Sequence, residues 1–162
     1  MGIFPTKILL ATDGSSEAVL ATHAAVELAR MSDSELHVVY VADEPPIALP
    51  YLESTDLGGV GMQDPILEEE LEEDLERRSG QQGSELLDVE VERVRSAGGT
   101  VAQAHLMMGE AAREIVRLAE DLRAGLIVIG SRGRGGIRRA LMGGVSDSVV
   151  RNAHCPVVVM RN

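Results

Sequence analysis

The residues whose types and spacing could do chemistry lie near the end of the chain. Gly130-Ser131-Arg132-Gly133 is followed by nine residues and then by Gly143-Gly144-Val145-Ser146. Glycines let a backbone approach a phosphate closely and take positive φ without a steric cost. A helix that opens after such a loop presents unpaired N–H groups and a partial positive charge, which suits an anion. Arg132, Arg134, Arg138 and Arg139 fall in the same loop, although the chain carries a net charge of -11. That local inversion of charge also points to an anionic ligand. The same residues are compatible with a tight turn and a set of solvated arginines. No Gly-Lys-Ser/Thr follows, so this is not a P-loop, and the dinucleotide fingerprint would sit after the first strand with closer glycines.

Positioning these residues requires a strand before the loop and a helix after it, and the rest of the chain supplies that alternation. Lys7 to Thr12 is an apolar run stopped by Asp13-Gly14, the pattern of a buried parallel strand. Ser15 and Ser16 offer helix caps, and Ala18 to Arg30 places Ala18, Ala21, Ala25, Leu28 and Ala29 at helical spacing. Glu35 to Val41 reads as a second strand, Thr100 to Met107 as a third, Leu126 to Ile129 as a fourth and Pro156 to Met160 as a last. Between them, Glu110 to Leu122 is a clear helix, and a short one runs from about Gly144–Ser146 to Asn152. Leu67, Leu71 and Leu75 alternate with six acidic residues, and Leu87, Val91 and Val94 resume the period after Gly80 and Gly83. Periodicity leaves open whether this stretch is one helix or two. The prolines at 45, 46 and 50 and the glycines at 58, 59 and 61 predict a long mobile loop over about 42–64.

The resulting β-α-β-α-β-α-β-α-β order predicts an α/β domain: a doubly wound, five-stranded parallel sheet with helices on both faces. Two strand orders suit it, 2-1-3-4-5 and 3-2-1-4-5, and periodicity does not choose. In the second, strands one and four are neighbours where the winding reverses, so Asp13 and Gly130 line one crevice, the place where such sheets bind ligands.

Composition bounds the function. The chain has 162 residues, the length of a single domain over 1–162, and is 44% hydrophobic and 25% charged. Its negative charge argues against a general nucleic-acid binder. Phe4, Tyr40 and Tyr51 are the only aromatics, too few to stack single-stranded bases. A lone Cys155 excludes an intrachain disulfide, and no apolar run approaches a membrane span. With no secretory leader pattern at Met1 to Thr12, the expected location is cytoplasmic.

With these residues in place, the chain resembles the universal stress proteins of the nucleotide-binding type. The likeness is carried by Lys7 to Ser15, Ile127 to Gly133, Gly143 to Val149 and Cys155 to Val159, and so covers essentially the whole length. The family signature is Gly, two residues, Gly, nine residues, Gly, then Ser or Thr. The resemblance implies the order 3-2-1-4-5, the adenine nucleotide alpha hydrolase-like fold, and an ATP-binding regulatory module. By position it implies that Asp13 and the backbone of Val41 hold the adenosine end. Gly130 and Gly133 would pass the ribose and first phosphates, and Gly143, Gly144, Val145 and Ser146 would offer N–H groups and one hydroxyl to the outer phosphates. Ala11, Thr12 and Ile129 would form walls, Arg132 would screen phosphate charge, and Mg²⁺ would enter through the phosphates. Gly144 departs from the signature: the hydroxyl is lost, so ADP or AMP should compete better. The resemblance further implies a homodimer through strand 156–160, whose apolar edge invites pairing.

Rival readings attach to several of these residues. Asp13 suits a turn or cap, or a phospho-acceptor, although Thr12 and Gly14 supply no acidic cluster for a metal. His23, His37, His105 and His154 show no metal spacing and are expected to be structural. Cys155 is expected to pack, and Glu68 to Asp74 to form a solvated helix face. The signature contains no Glu or Gln to orient water, which favours binding over a slow ATP hydrolase. A structural or chaperone-like dimer is the remaining alternative.

Overall fold

The computed structural model describes residues 6–44, 65–131 and 144–161, with backbone alone at 65–68. The expected 42–64 loop therefore lies outside the described residues apart from its first three. So do Arg132, Gly133, Gly143 and the other loop arginines.

The elements are β1 (Lys7–Thr12), α1 (Ser16–Ser32), β2 (Glu35–Ala42), α2 (Pro65–Ser96), β3 (Val101–Met108), α3 (Ala111–Leu122), β4 (Leu126–Gly130), α4 (Val145–Asn152) and β5 (Val157–Met160). All strand pairs are parallel, in the order β3-β2-β1-β4-β5. The central strand β1 is buried on both faces. Ile8 and Leu10 pack with Ala21, Ala25 and Val26 of α1 and with Leu87 and Val94 of α2. Leu9 and Ala11 pack with Ile115, Leu118 and Ala119 of α3 and Val149 of α4. A continuous apolar run, rather than an alternating one, is what a two-sided strand requires.

Helix ends follow local chemistry. Ser15 caps α1 by accepting from the Ala18 N–H at 3.2 Å. Glu110 is the cap of α3 and not its first helical residue, because its carboxylate accepts from the N–H groups of Ala112 and Arg113 at 3.1 and 2.9 Å.

The stretch with two glycines is one helix of 32 residues, about 48 Å long. Among its described side chains, those that enter the core lie in the second half. Gly83, Leu87, Glu90 and Val94 are buried, whereas Leu71 in the acidic half is 51% exposed. Gly83 is there for close approach: a Cβ would lie 2.7 Å from Leu106 Cδ1 and 3.2 Å from Tyr40 Cε1. Among the described residues, Gly80 has nothing within 4 Å of such a Cβ. Gly80→Ala should therefore stabilise the fold by about 0.5–1 kcal/mol, since an interior helical glycine carries an entropic cost with no compensating contact here. A thermal melt should show a rise of about 1–4 °C.

Candidate functional site

The expected crevice falls at the carboxyl edge of β1, β2 and β4. Ala11 and Ile129 are buried Cα partners across β1 and β4, so these two strands end side by side. The β1–β2 register ends at Thr12↔Tyr40, which sets Val41 one step beyond the end of β1. After β1 the chain turns sharply. Gly14 has φ +77°, in the left-handed region that favours glycine. The Asp13 Oδ1 accepts from the Ser15 N–H at 2.9 Å, and Thr12 Oγ1 accepts from the Gly14 N–H at 3.3 Å. Asp13 is thereby held, half-buried, at the mouth of the sheet.

On the β4 side, Gly130 meets the first turn of α1. A Cβ there would lie 2.9 Å from the Glu17 carbonyl carbon and 3.1 Å from the Ala18 nitrogen. The glycine is thus required by packing against α1, whatever else passes over it. The chain continues with the Ser131 N–H donating to the Met160 carbonyl at 2.7 Å. Ser146 Oγ donates to the Ser131 carbonyl at 3.2 Å, which seats the first turn of α4 beside the end of β4. Gly144 is the N-cap of α4, supplies no side-chain cap bond, and among the described residues has nothing within 4 Å of where a Cβ would be. Gly144 brings no side chain to the N–H groups at this helix start, and such groups suit an anion. Ser146 can offer its hydroxyl proton to a ligand only by releasing Ser131.

Of the twelve expected site residues, nine are described: Ala11, Thr12, Asp13, Val41, Ile129, Gly130, Gly144, Val145 and Ser146. They fall at the ends of β1, β2 and β4 and the start of α4. Sequence reasoning missed Glu90. Helical spacing selected Val91 as the inward residue, but Glu90 is 1% exposed, with its carboxylate behind Thr12.

The histidines do not all stand apart. His37 Nδ1 and His105 Nε2 are 3.1 Å apart and their rings stack, with Glu35 Oε2 3.5 Å from His37 Nε2. Burial, and secondarily the neighbouring His37, push His105 below its usual pKa. Among the described residues no group of three or more His, Cys, Asp or Glu could hold a metal ion. Cys155 packs at the margin of the α3/α4 core, and burial pushes its thiol pKa up, contrary to what an activated nucleophile needs. The His154 ring lies 3.1 Å from the Ala124 carbonyl, which its Nε2–H engages.

The sequence profile of the universal stress protein family matches residues 5–161. The chain belongs to that family. Universal stress protein MJ0531 of Methanocaldococcus jannaschii is 33% identical over 156 residues, covering 96% of this chain and 81% of the relative. The solved structure of MJ0577 from the same organism aligns with a TM-score of 0.74 at 24% identity, over 97% of this chain and 96% of that one. A universal stress protein solved in complex with cAMP aligns with a TM-score of 0.69 at 21% identity, over 97% of each chain. The universal stress protein fold and its strand order thus stand as the resemblance implied. No helix among the described residues is long and apolar enough to cross a membrane.

Proposed function

We propose that this universal stress protein is an ATP-binding regulatory module that acts as a homodimer in stress or energy response. The observation that carries the reading is the convergence of three elements on one edge. The Asp13 turn, the end of β4 and the uncapped start of α4 meet where β1 and β4 are neighbours. A nucleotide suits that edge: a carboxylate acceptor stands at one side for the adenosine end and backbone donors at the other for phosphates. The cAMP complex, and an Archaeoglobus fulgidus universal stress protein in complex with dAMP (TM-score 0.58, 24% identity), support an adenine nucleotide as the ligand class.

In this reading Asp13 and the Val41 backbone hold the adenosine. Gly130 and Gly133 pass the ribose and first phosphates, while Gly143, Gly144, Val145 and Ser146 take the outer ones. Ala11, Thr12 and Ile129 wall the site, Arg132 screens charge, and bound Mg²⁺ would neutralise the phosphates. The missing hydroxyl at Gly144 weakens the hold on a terminal phosphate, so ADP and AMP compete. With no Glu or Gln from Gly130 to Ser146, the module holds nucleotide and is at most a weak ATPase. The homodimer reading is supported by β5, which forms one edge of the sheet with Val157 to Met160 all half-buried.

The test is a thermal melt of protein first freed of nucleotide, with and without ATP–Mg²⁺, and with AMP and GTP alongside. ATP at 100 times its Kd should stabilise the fold by about 2.7 kcal/mol. That corresponds to a rise of about 5–10 °C, with a smaller one for GTP. No shift from a demonstrably empty protein would overturn the reading.

A further inference from the structure

Beneath the crevice lies a polar cluster in which one buried carboxylate joins three elements. Glu90 of α2 is 1% exposed. Its Oε2 accepts from Thr12 Oγ1 of β1 at 3.0 Å and from Arg93 Nη1 at 2.5 Å. Its Oε1 lies against Thr22 Oγ1 of α1, whose single proton it shares with the Ala18 carbonyl, 2.8 Å from the same hydroxyl. Burying a carboxylate is costly unless it is paired and hydrogen-bonded, and here Arg93 pairs Glu90 while Thr12 donates to it. Its connection to the turn runs through Thr12. A hydroxyl has one proton and two lone pairs. Because a carboxylate only accepts, the Thr12 proton is committed to Glu90, and the lone pairs are left to accept the Gly14 N–H at 3.3 Å. Gly14 is the left-handed residue that follows Asp13.

We propose that Glu90 is a positioning residue: by fixing the Thr12 hydroxyl it sets the Thr12–Ser15 turn and so aims Asp13. It also ties α2, the helix that follows the 45–64 segment, to the floor of the crevice. The consequence for affinity rests on the nucleotide reading given above; the consequence for the turn does not.

The test uses Glu90→Gln, Thr12→Val, their double variant, and Thr22→Val, which removes a donor to the same carboxylate without touching Thr12. Gln keeps the volume but presents an amide group to donors that need acceptors. Glu90→Gln should weaken ATP binding about tenfold, or about 1.4 kcal/mol. It should also speed hydrogen exchange of the Gly14 amide by a similar factor. Thr22→Val should lower the melting temperature while leaving ATP affinity and Gly14 exchange within about twofold, because it perturbs the cluster but not its link to the turn. The double variant should bind no more weakly than Thr12→Val alone, as two residues acting through one contact must. Wild-type affinity together with wild-type Gly14 exchange in Glu90→Gln would overturn the proposal, as would additive losses in the double variant. If the wild type binds no ATP, the nucleotide reading fails and Gly14 exchange alone decides on Glu90: faster exchange upholds its positioning role, and unchanged exchange overturns it.

Discussion

Gly130→Ala is expected to lower the melting temperature by about 2–12 °C, the equivalent of about 1–3 kcal/mol of overpacking. Its new Cβ would sit 2.9 Å from the Glu17 carbonyl carbon and 3.1 Å from the Ala18 nitrogen. Both are backbone atoms of the first turn of α1, so no side chain can rotate away. That turn is anchored by the Ser15 cap and by Ala18 and Ala21, which are 2% and 0% exposed. The strain must therefore move the helix start or the end of β4. Either movement separates Asp13 from Ser131 and the start of α4, so nucleotide affinity should fall about tenfold or more, at least about 1.4 kcal/mol. The same substitution at Gly80 is expected to have the opposite sign, and the pair of melts tests whether packing decides the effect. A melt unchanged by Gly130→Ala would mean that β4 and α1 do not approach this closely.

The second large effect is expected at Asp13. Asp13→Ala should weaken ATP binding about 10- to 150-fold, because a hydrogen bond to a charged group contributes about 1.5–3 kcal/mol. The variant also removes the acceptor of the Ser15 N–H, so part of the loss could arise from the turn and not from the ligand. Asp13→Asn separates the two. Its amide oxygen can still accept from Ser15, and asparagine is at home in such turns. Its melt should match that of the wild type while its affinity, measured by calorimetry, stays well below. Full affinity in Asp13→Asn would reduce Asp13 to a turn residue and assign recognition elsewhere on the crevice.

Much of this architecture is written locally. Between Lys7 and Thr12, Ile8 and Leu10 on one face and Leu9 and Ala11 on the other are all apolar, so burial on two sides follows from the residues alone. Ser15 and Gly144 mark helix starts because capping chemistry acts within a few residues of chain. The strand end at Gly130 and the helix start at Gly144 were legible for the same reason, since each rests on residues close in sequence.

What the tertiary structure decided are the relations between distant segments. Periodicity reports that a face is apolar and not what it meets, so it left two strand orders open; the family resemblance pointed to β1 beside β4, and the packed sheet has that order. Leu71 shows the same limit: its spacing matches a core position, yet it is 51% exposed. His37 and His105 read as isolated because 68 positions separate them, and parallel pairing of β2 with β3 stacks them. Glu90 is the clearest case. A glutamate one position before Val91 scores as solvent-facing, and it is stable inside only because Thr12, Thr22 and Arg93 arrive from β1, α1 and the next turn of α2 to satisfy its two oxygens. A buried charge depends on partners that no local pattern contains, and that dependence is why the sequence alone determined the elements while the fold determined what stands behind them.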